Sequence, residues 1–267
     1  MSRWPNRKFA RSREVFSHLG FSEPGLMARH AVFVYRYYVR FFALVSRTWR
    51  RRAYTRVRVE GTPPSPGTVL VSLHLGEFDL AGAYLAEQLH LTPVVSTSAS
   101  ENWRLRFFDR IRRRAGVVVL SGRAVGLEDL VEQLHRGRCV LVMLDRPARG
   151  RRAEVELAGG QAEISSAATR LAEFAGAPLA AGATWTDKDG NTIIRFGAPH
   201  PPSGNAGPLL QSIADELSDA VLCAPHQLHI AADPRQHVWT SPDAIRVGGA
   251  LAPGSPPRTT QSHVTSG

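Results

Sequence analysis

Residues 68–89, TVLVSLHLGEFDLAGAYLAEQL, decide how the chain folds. An apolar run over residues 69–73 reaches His74, Gly76 releases the chain, and an amphipathic pattern with Glu77, Asp79, Tyr84, Leu85 and Leu89 follows. That pattern is a strand, a tight turn and a helix. One continuous helix would set positions five apart about 140° from each other and keep His74 from Asp79. With His74 on the turn the two can meet. Asp79, in the first helical turn, is then expected to accept a hydrogen bond from one ring nitrogen, leaving the other to take a proton. The helix dipole also favours an acid there, and a histidine after a strand can be a satisfied core residue, so the spacing alone leaves both readings open.

Working outward, residues 55–60 alternate around Val57 and Val59 as a half-exposed strand, and residues 61–67, with three prolines, form a loop. Strands are expected at 93–97, 117–120 and 139–144, with helices at 101–115 and 127–136 between them. This βαβ alternation predicts an α/β fold, one domain with a largely parallel central sheet flanked by helices and ligands beyond the carboxyl ends of the strands. His74 and Asp145 both fall at such ends. A hairpin around Gly159 and Gly160 precedes a helix opened by Ser165 and Ser166. Strands at 177–184 and 191–196 and a helix at 209–222 complete the domain, taken as residues 55–240. Residues 1–54 are expected as a basic amphipathic helical segment packed on the core. Residues 241–267, dominated from 252 on by Pro, Ser, Thr and Gly, are expected to be disordered.

The 267 residues are 43% hydrophobic, sufficient for a substantial core. A formal charge of +10 and a pI near 10.6 point to partners that carry phosphate: lipid headgroup, coenzyme A, carrier protein or RNA. Cys139 and Cys223 give neither a disulfide framework nor zinc spacing, which suits a reducing cytoplasm. Residues 1–25 lack the apolar core of a secretory signal. Residues 26–52 are aromatic and aliphatic but interrupted by Arg29, Arg36 and Arg40, too short a run to span a bilayer. They read either as an interfacial helix, giving peripheral contact with the anionic inner face of the cell membrane, or as a core-packing helix with a solvated basic end. His226 and His229, one helical turn apart with no nearby acid, read as surface residues, not metal ligands.

Residues 74–82, HLGEFDLAG, resemble the first block of the lysophospholipid acyltransferase superfamily, a histidine and an acid separated by four residues. The resemblance is closest to the branch containing bacterial lipid A acyltransferases and mycobacterial phosphatidylinositol mannoside acyltransferases. Residues 102–116, NWRLRFFDRIRRRAG, resemble the second block, with Arg112 four residues before Gly116. LHRGRCVLVMLDR (134–146) and VELAGGQAEISSAATRLAEFAGAPLAAG (155–182) follow in family order. The match covers most of residues 55–200 and departs near the last helix, where the family's Pro-x-x-Trp is Pro225-His-Gln-Leu228. That departure bears on the carboxy-terminal wall of the site and on acceptor identity.

The resemblance implies an acyltransferase that moves an acyl group from acyl-coenzyme A or acyl-carrier protein to a hydroxyl or amine acceptor such as a glycolipid. His74 held by Asp79 would act as general base, with no metal, no cofactor and no acyl-enzyme. The substrate-binding candidates are Glu77, Asn102, Arg112, Asp145, Arg146 and Ser165. Arg112 suits a donor or acceptor phosphate because its planar fork binds two oxygens at once. Asp145 and Arg146 either line the site or form a loop-ordering ion pair. Ser165 is either a helix cap or the start of a backbone N–H cluster for an oxyanion. Residues 148–152 are a basic loop, either solvated or a lid over an anionic ligand. Two other functions stay open: a soluble relative in natural-product biosynthesis that uses aminoacyl-tRNA as donor, and a non-catalytic nucleic-acid binding protein. The latter would lack aromatic stacking motifs and any recognisable DNA-binding module. The absence of a Gly-x-Ser-x-Gly elbow gives no support to a serine hydrolase.

Overall fold

The elements alternate along the chain as the apolar periodicities require. A computed structural model describes residues 13, 16–17, 20–21, 25–97, 103–121, 125–146, 150–229 and 238–239. Helices α1 (Leu26–Ala43) and α2 (Arg47–Tyr54) lead into strand β1 (Val57–Glu60). Then come β2 (Val69–Ser72), α3 (Phe78–Gln88), β3 (Pro93–Thr97), α4 (Trp103–Arg114), β4 (Val118–Ser121), α5 (Leu127–His135) and β5 (Cys139–Met143). The hairpin β6 (Arg152–Leu157) and β7 (Gly160–Ser165) precedes α6 (Ala167–Ala175), β8 (Leu179–Thr186), β9 (Thr192–Phe196), α7 (Ala206–Cys223) and a 3₁₀ turn at Pro225–Gln227. Asn102, residues 148–149 of the expected basic loop and the tail from 241 lie outside the described residues.

Seven strands form one sheet in the order β1-β9-β8-β2-β5-β3-β4, parallel throughout except for the antiparallel pair β8–β9. The chain leaves β2 for β3 and β4, returns to insert β5 beside β2, and only then crosses to β8 on the other flank. The carboxyl ends of β2 and β5 therefore stand at a topological switch point, where open α/β sheets bind ligands. The central strand β2 is buried at every position, as a strand covered on both faces must be.

One face of the sheet packs on α3 through Leu70, Ala81, Leu85, Cys139, Ala180 and Ile194. A further layer joins α3 to α1, α2 and α4 through Phe41, Tyr54, Leu80, Ala83 and Ile111. The opposite face packs Val69, Val71, Leu171, Leu210 and Leu217 together, bringing in α6, α7 and the hairpin. The single helix expected over residues 26–52 is broken at 44–46. There the buried Arg50 guanidinium donates to the Leu44 carbonyl, which the helix break leaves without a helical partner, and steadies the corner.

Candidate active site at the ends of two central strands

His74 follows β2 by two residues and Asp145 follows β5 by two residues. Ser72 and Met143 are paired across the parallel ladder, and the Leu144 amide donates to the Ser72 carbonyl at 2.9 Å. Equal offsets from a paired rung bring the two side chains together. The Asp145 Oδ1 atom accepts from the His74 backbone N–H at 3.0 Å and lies 2.8 Å from His74 Nδ1. Facing a carboxylate, Nδ1 carries the proton, and Nε2 is left with its lone pair. Asp145 is 1% exposed. Burial favours its neutral form, but His74 and the Arg146 guanidinium 4.0 Å away outweigh that and hold the carboxyl well below the usual carboxylate range.

The expected partnership of His74 with Asp79 is not the one formed. Asp79, in the first turn of α3, receives Arg112 Nε on Oδ1 at 2.7 Å and Arg112 Nη2 on Oδ2 at 3.3 Å. The Tyr37 hydroxyl from α1 donates to the same Oδ2. The side-on arginine fork and the phenol occupy the lone pairs that the sequence reading assigned to histidine. Burial together with this carboxylate raises the Tyr37 phenol well above its ordinary value. Burial disfavours charge on Arg112, but Asp79 more than compensates and keeps the guanidinium firmly protonated.

A cavity of about 490 Å³ opens beside His74, with Asp79 and Arg112 also in its wall. Its lining is otherwise largely apolar: Val95 from β3, Val140 and Val142 from β5, and Leu127, Leu130 and Leu171 from α5 and α6. The cavity touches four consecutive residues of β5, Val140 to Met143, whose side chains alternate between the faces of the sheet. It also touches Phe78 and Gly82 of α3 on one face and Ala167 and Leu171 of α6 on the other. Both facts require an opening at a strand edge. The β3–β5 ladder supplies it, because pairing covers only Pro93↔Cys139 and Val94↔Val140. Beyond that rung the strands part.

The remaining candidates are placed as follows. Glu77 is 2% exposed, with Arg40 Nη1 at 2.6 Å from Oε1 and the Thr192 hydroxyl donating to Oε2 at 2.9 Å. It is thus a buried tie between α1 and β9, not the substrate ligand expected. Arg146 Nη2 donates to the His229 carbonyl and extends the Asp145 network. Ser165, at the end of β7, accepts from the Ala167 amide at 3.2 Å and caps the start of α6. Among the described residues, no three His, Cys, Asp or Glu side chains are gathered to hold a metal ion.

The carboxy-terminal segment folds inward against the His74 loop. His229, expected on the surface, packs its ring on Tyr37 at 4.3 Å and Phe78 at 4.9 Å, and its Nε2–H donates to the Gly76 carbonyl at 2.9 Å. Its amide donates to the His74 carbonyl at 2.8 Å, and Leu75 bridges Leu228. Burial pushes the imidazole down to about 4, so at neutral pH it is uncharged. Gln227 donates Nε2–H to the Thr186 carbonyl at 2.7 Å and accepts from the Thr186 amide at 2.8 Å. Residues 225–229 therefore strap the His74 loop to β8. A Cβ on Gly76, at φ +60°, would lie 2.4 Å from the Thr184 carbonyl, so only glycine fits beneath the strap. No spacing rule could reveal contacts across some 150 residues of chain; His229 left no local signal.

Taken together, the fold and site define an α/β protein with a histidine–carboxylate pair set beside a largely apolar cavity. The profile described as bacterial lipid A biosynthesis acyltransferase matches residues 64–233, well over half of the chain, and the chain belongs to that family. Among its relatives are the phosphatidylinositol mannoside acyltransferases of Mycobacterium tuberculosis (strain ATCC 25618 / H37Rv), 27% identical over 168 residues, and Mycolicibacterium smegmatis, 25% identical over 167 residues. Each alignment covers 61% of this chain, and 53% and 55% of the respective relative. The chain thus spans about half the length of the relatives it matches.

Proposed function

We propose that the protein transfers an acyl group from a thioester donor, acyl-coenzyme A or acyl-carrier protein, to a hydroxyl or amine acceptor such as a glycolipid. The observation that carries this reading is a histidine with Nδ1 tied to a buried carboxylate, set at a largely apolar cavity of about 490 Å³. His74 Nε2 takes the acceptor proton as the acceptor oxygen or nitrogen bonds to the thioester carbon. The tetrahedral intermediate then collapses, the carbon–sulfur bond breaks, and the leaving thiolate recovers the proton from the imidazolium. Asp145 stabilises that imidazolium while it exists and fixes the ring before and after. Arg112 in the cavity wall, with Nε and Nη2 on Asp79 and Nη1 3.3 Å from Asp109 Oδ1, would meet a phosphate of donor or acceptor through its remaining N–H bonds.

The apolar lining favours an alkyl chain over the polar aminoacyl group of a tRNA donor, since each buried methylene contributes about 0.8 kcal/mol. The test is thiol release from a panel of acyl-coenzyme A and acyl-carrier protein donors, with a lipid extract as acceptor source and aminoacyl-tRNA as a separate arm. His74→Ala is expected to lower release by about 10²-fold or more at unchanged donor binding. Equal turnover by wild type and His74→Ala would remove His74 as the base. Transfer from aminoacyl-tRNA alone would replace the donor class.

A further inference from the structure

We propose that Tyr37 is a positioning residue of the site: its hydroxyl holds Asp79 in place, so that Arg112 keeps N–H bonds open to a phosphate in the cavity. The inference rests on the reading of Arg112 as a phosphate contact and does not depend on which acid serves His74. Three helices meet here, with Tyr37 on α1, Asp79 on α3 and Arg112 on α4. Asp79 and Arg112 line the cavity, while Tyr37, 8% exposed, supports them from α1.

A guanidinium meets a carboxylate either side-on, through Nε and one Nη, or end-on, through both Nη atoms. Arg112 is side-on, with Nε 2.7 Å from Asp79 Oδ1 and Nη2 3.3 Å from Oδ2. Its Nη1 lies 3.3 Å from Asp109 Oδ1, so Nη1 and Nη2 each keep one further N–H. The grip is uneven: Oδ2 receives the longer arginine bond, and the Tyr37 hydroxyl donates to that same oxygen. The phenol thereby stops the carboxylate from turning toward the Nη pair. Without it, Asp79 gains by an end-on grip, because a buried ion pair is stable only when its lone pairs and N–H bonds are well matched. That grip would consume the N–H bonds a phosphate needs.

The tyrosine is built into this place. Burial and the neighbouring carboxylate keep its phenol protonated through the neutral range, so it acts as a donor. Its ring is fixed as well, tilted on Phe78 at 5.6 Å and edge-on to His229 at 4.3 Å. Phe78 in turn meets the His74 ring edge-on at 5.3 Å. One side chain therefore registers the arginine against the base: the hydroxyl sets the first, and the ring backs the second.

Inorganic phosphate is the probe, read through the Arg112 side chain in nitrogen-edited proton NMR spectra of the full chain. The Arg112 Nε–H signal, identified by its loss in Arg112→Lys, is expected to exchange slowly in wild type and to move when phosphate is added. Tyr37→Phe keeps the ring and removes the hydroxyl. In that variant the signal should exchange faster and phosphate affinity should fall about tenfold, the size of one hydrogen bond to a charged group. Phe33→Leu loosens the same aromatic group without touching Asp79, so it should lower the melting temperature and leave phosphate affinity unchanged. Kinetics of Tyr37→Phe then identifies the phosphate, with kcat little changed because the ring is retained. A higher KM for palmitoyl-coenzyme A but not for S-palmitoyl-pantetheine, which has no phosphate, assigns it to the donor; a higher KM for the lipid acceptor with both donors assigns it to the acceptor. Equal exchange and equal affinity in wild type and Tyr37→Phe, a fast-exchanging Arg112 signal in wild type, or an affinity loss matched by Phe33→Leu would overturn the proposal. A wild-type Arg112 signal that phosphate leaves unmoved would remove the reading of Arg112 as well, which sets that failure apart from the others.

Discussion

Asp145 and Asp79 lie within one site, yet substitution of each should fail differently. Asp145→Asn removes the charge that stabilises the imidazolium and lets the amide present N–H to Nδ1, which favours the wrong tautomer. A fall in kcat of about 10²-fold or more, with little change in KM and some loss of stability from the buried network, is the expected outcome. Asp79→Asn instead leaves a mostly buried Arg112 with Asp109, 3.3 Å from Nη1, as its remaining acid, and breaking the closer pair costs about 3 kcal/mol in folding stability. Steady-state kinetics paired with urea denaturation of both variants separates the roles. If Asp79→Asn lost kcat at full stability while Asp145→Asn stayed active, Asp79 would be the orienting acid after all.

At the scale of elements, the short β3–β5 ladder matters more than any one residue. A sheet paired along its full length would close the path between its faces, and the cavity would end against β5. Because the strands part after Val94↔Val140, the cavity reaches Leu127 and Leu130 of α5. Leu130 is half-buried on this wall, so Leu130→Trp adds volume toward the cavity with less strain than at a fully packed core site. Donor-length profiles of thiol release should shift to chains several carbons shorter, with long donors discriminated against by about tenfold or more. An unchanged profile would place the acyl chain elsewhere.

The whole molecule closes on itself where α1 meets the carboxy-terminal strap. His30 of α1 lies 2.9 Å, through Nδ1, from the His226 carbonyl, and His229 lies between Tyr37 and the His74 loop. Burial lowers the pKa of both His30 and His229, the latter to about 4. An unfolded chain binds protons at these groups near 6.5, before the folded protein does, so stability falls as pH falls. The contribution of His229 is complete above about 6.5 and is lost progressively down to about 4, a change on the order of 3 kcal/mol. His229→Gln keeps a donor for the Gly76 carbonyl but cannot titrate. Urea midpoints measured from pH 7 to 4.5 should fall less steeply for that variant, and parallel curves would show that His229 already titrates normally in the folded protein.

The pattern of residues 68–89 determined a strand, a turn and a helix because hydrophobic periodicity is local. Repeated along the chain, the same alternation determined a parallel sheet with His74 and Asp145 at strand ends. The resemblance to two family blocks, not the periodicity, made Arg112 a functional candidate and supported Asp79 as one. Only the tertiary structure decided which acid holds the histidine. That choice depends on the register between β2 and β5, nonadjacent in sequence, and on Arg112 and Tyr37 reaching Asp79 from helices that no spacing rule connects. For the same reason Glu77 became a buried tie to Arg40, and His229 moved from the expected surface to the floor of the His74 loop. The cavity, too, belongs to the tertiary level, since a gap between two strands is a property of their pairing and not of either sequence.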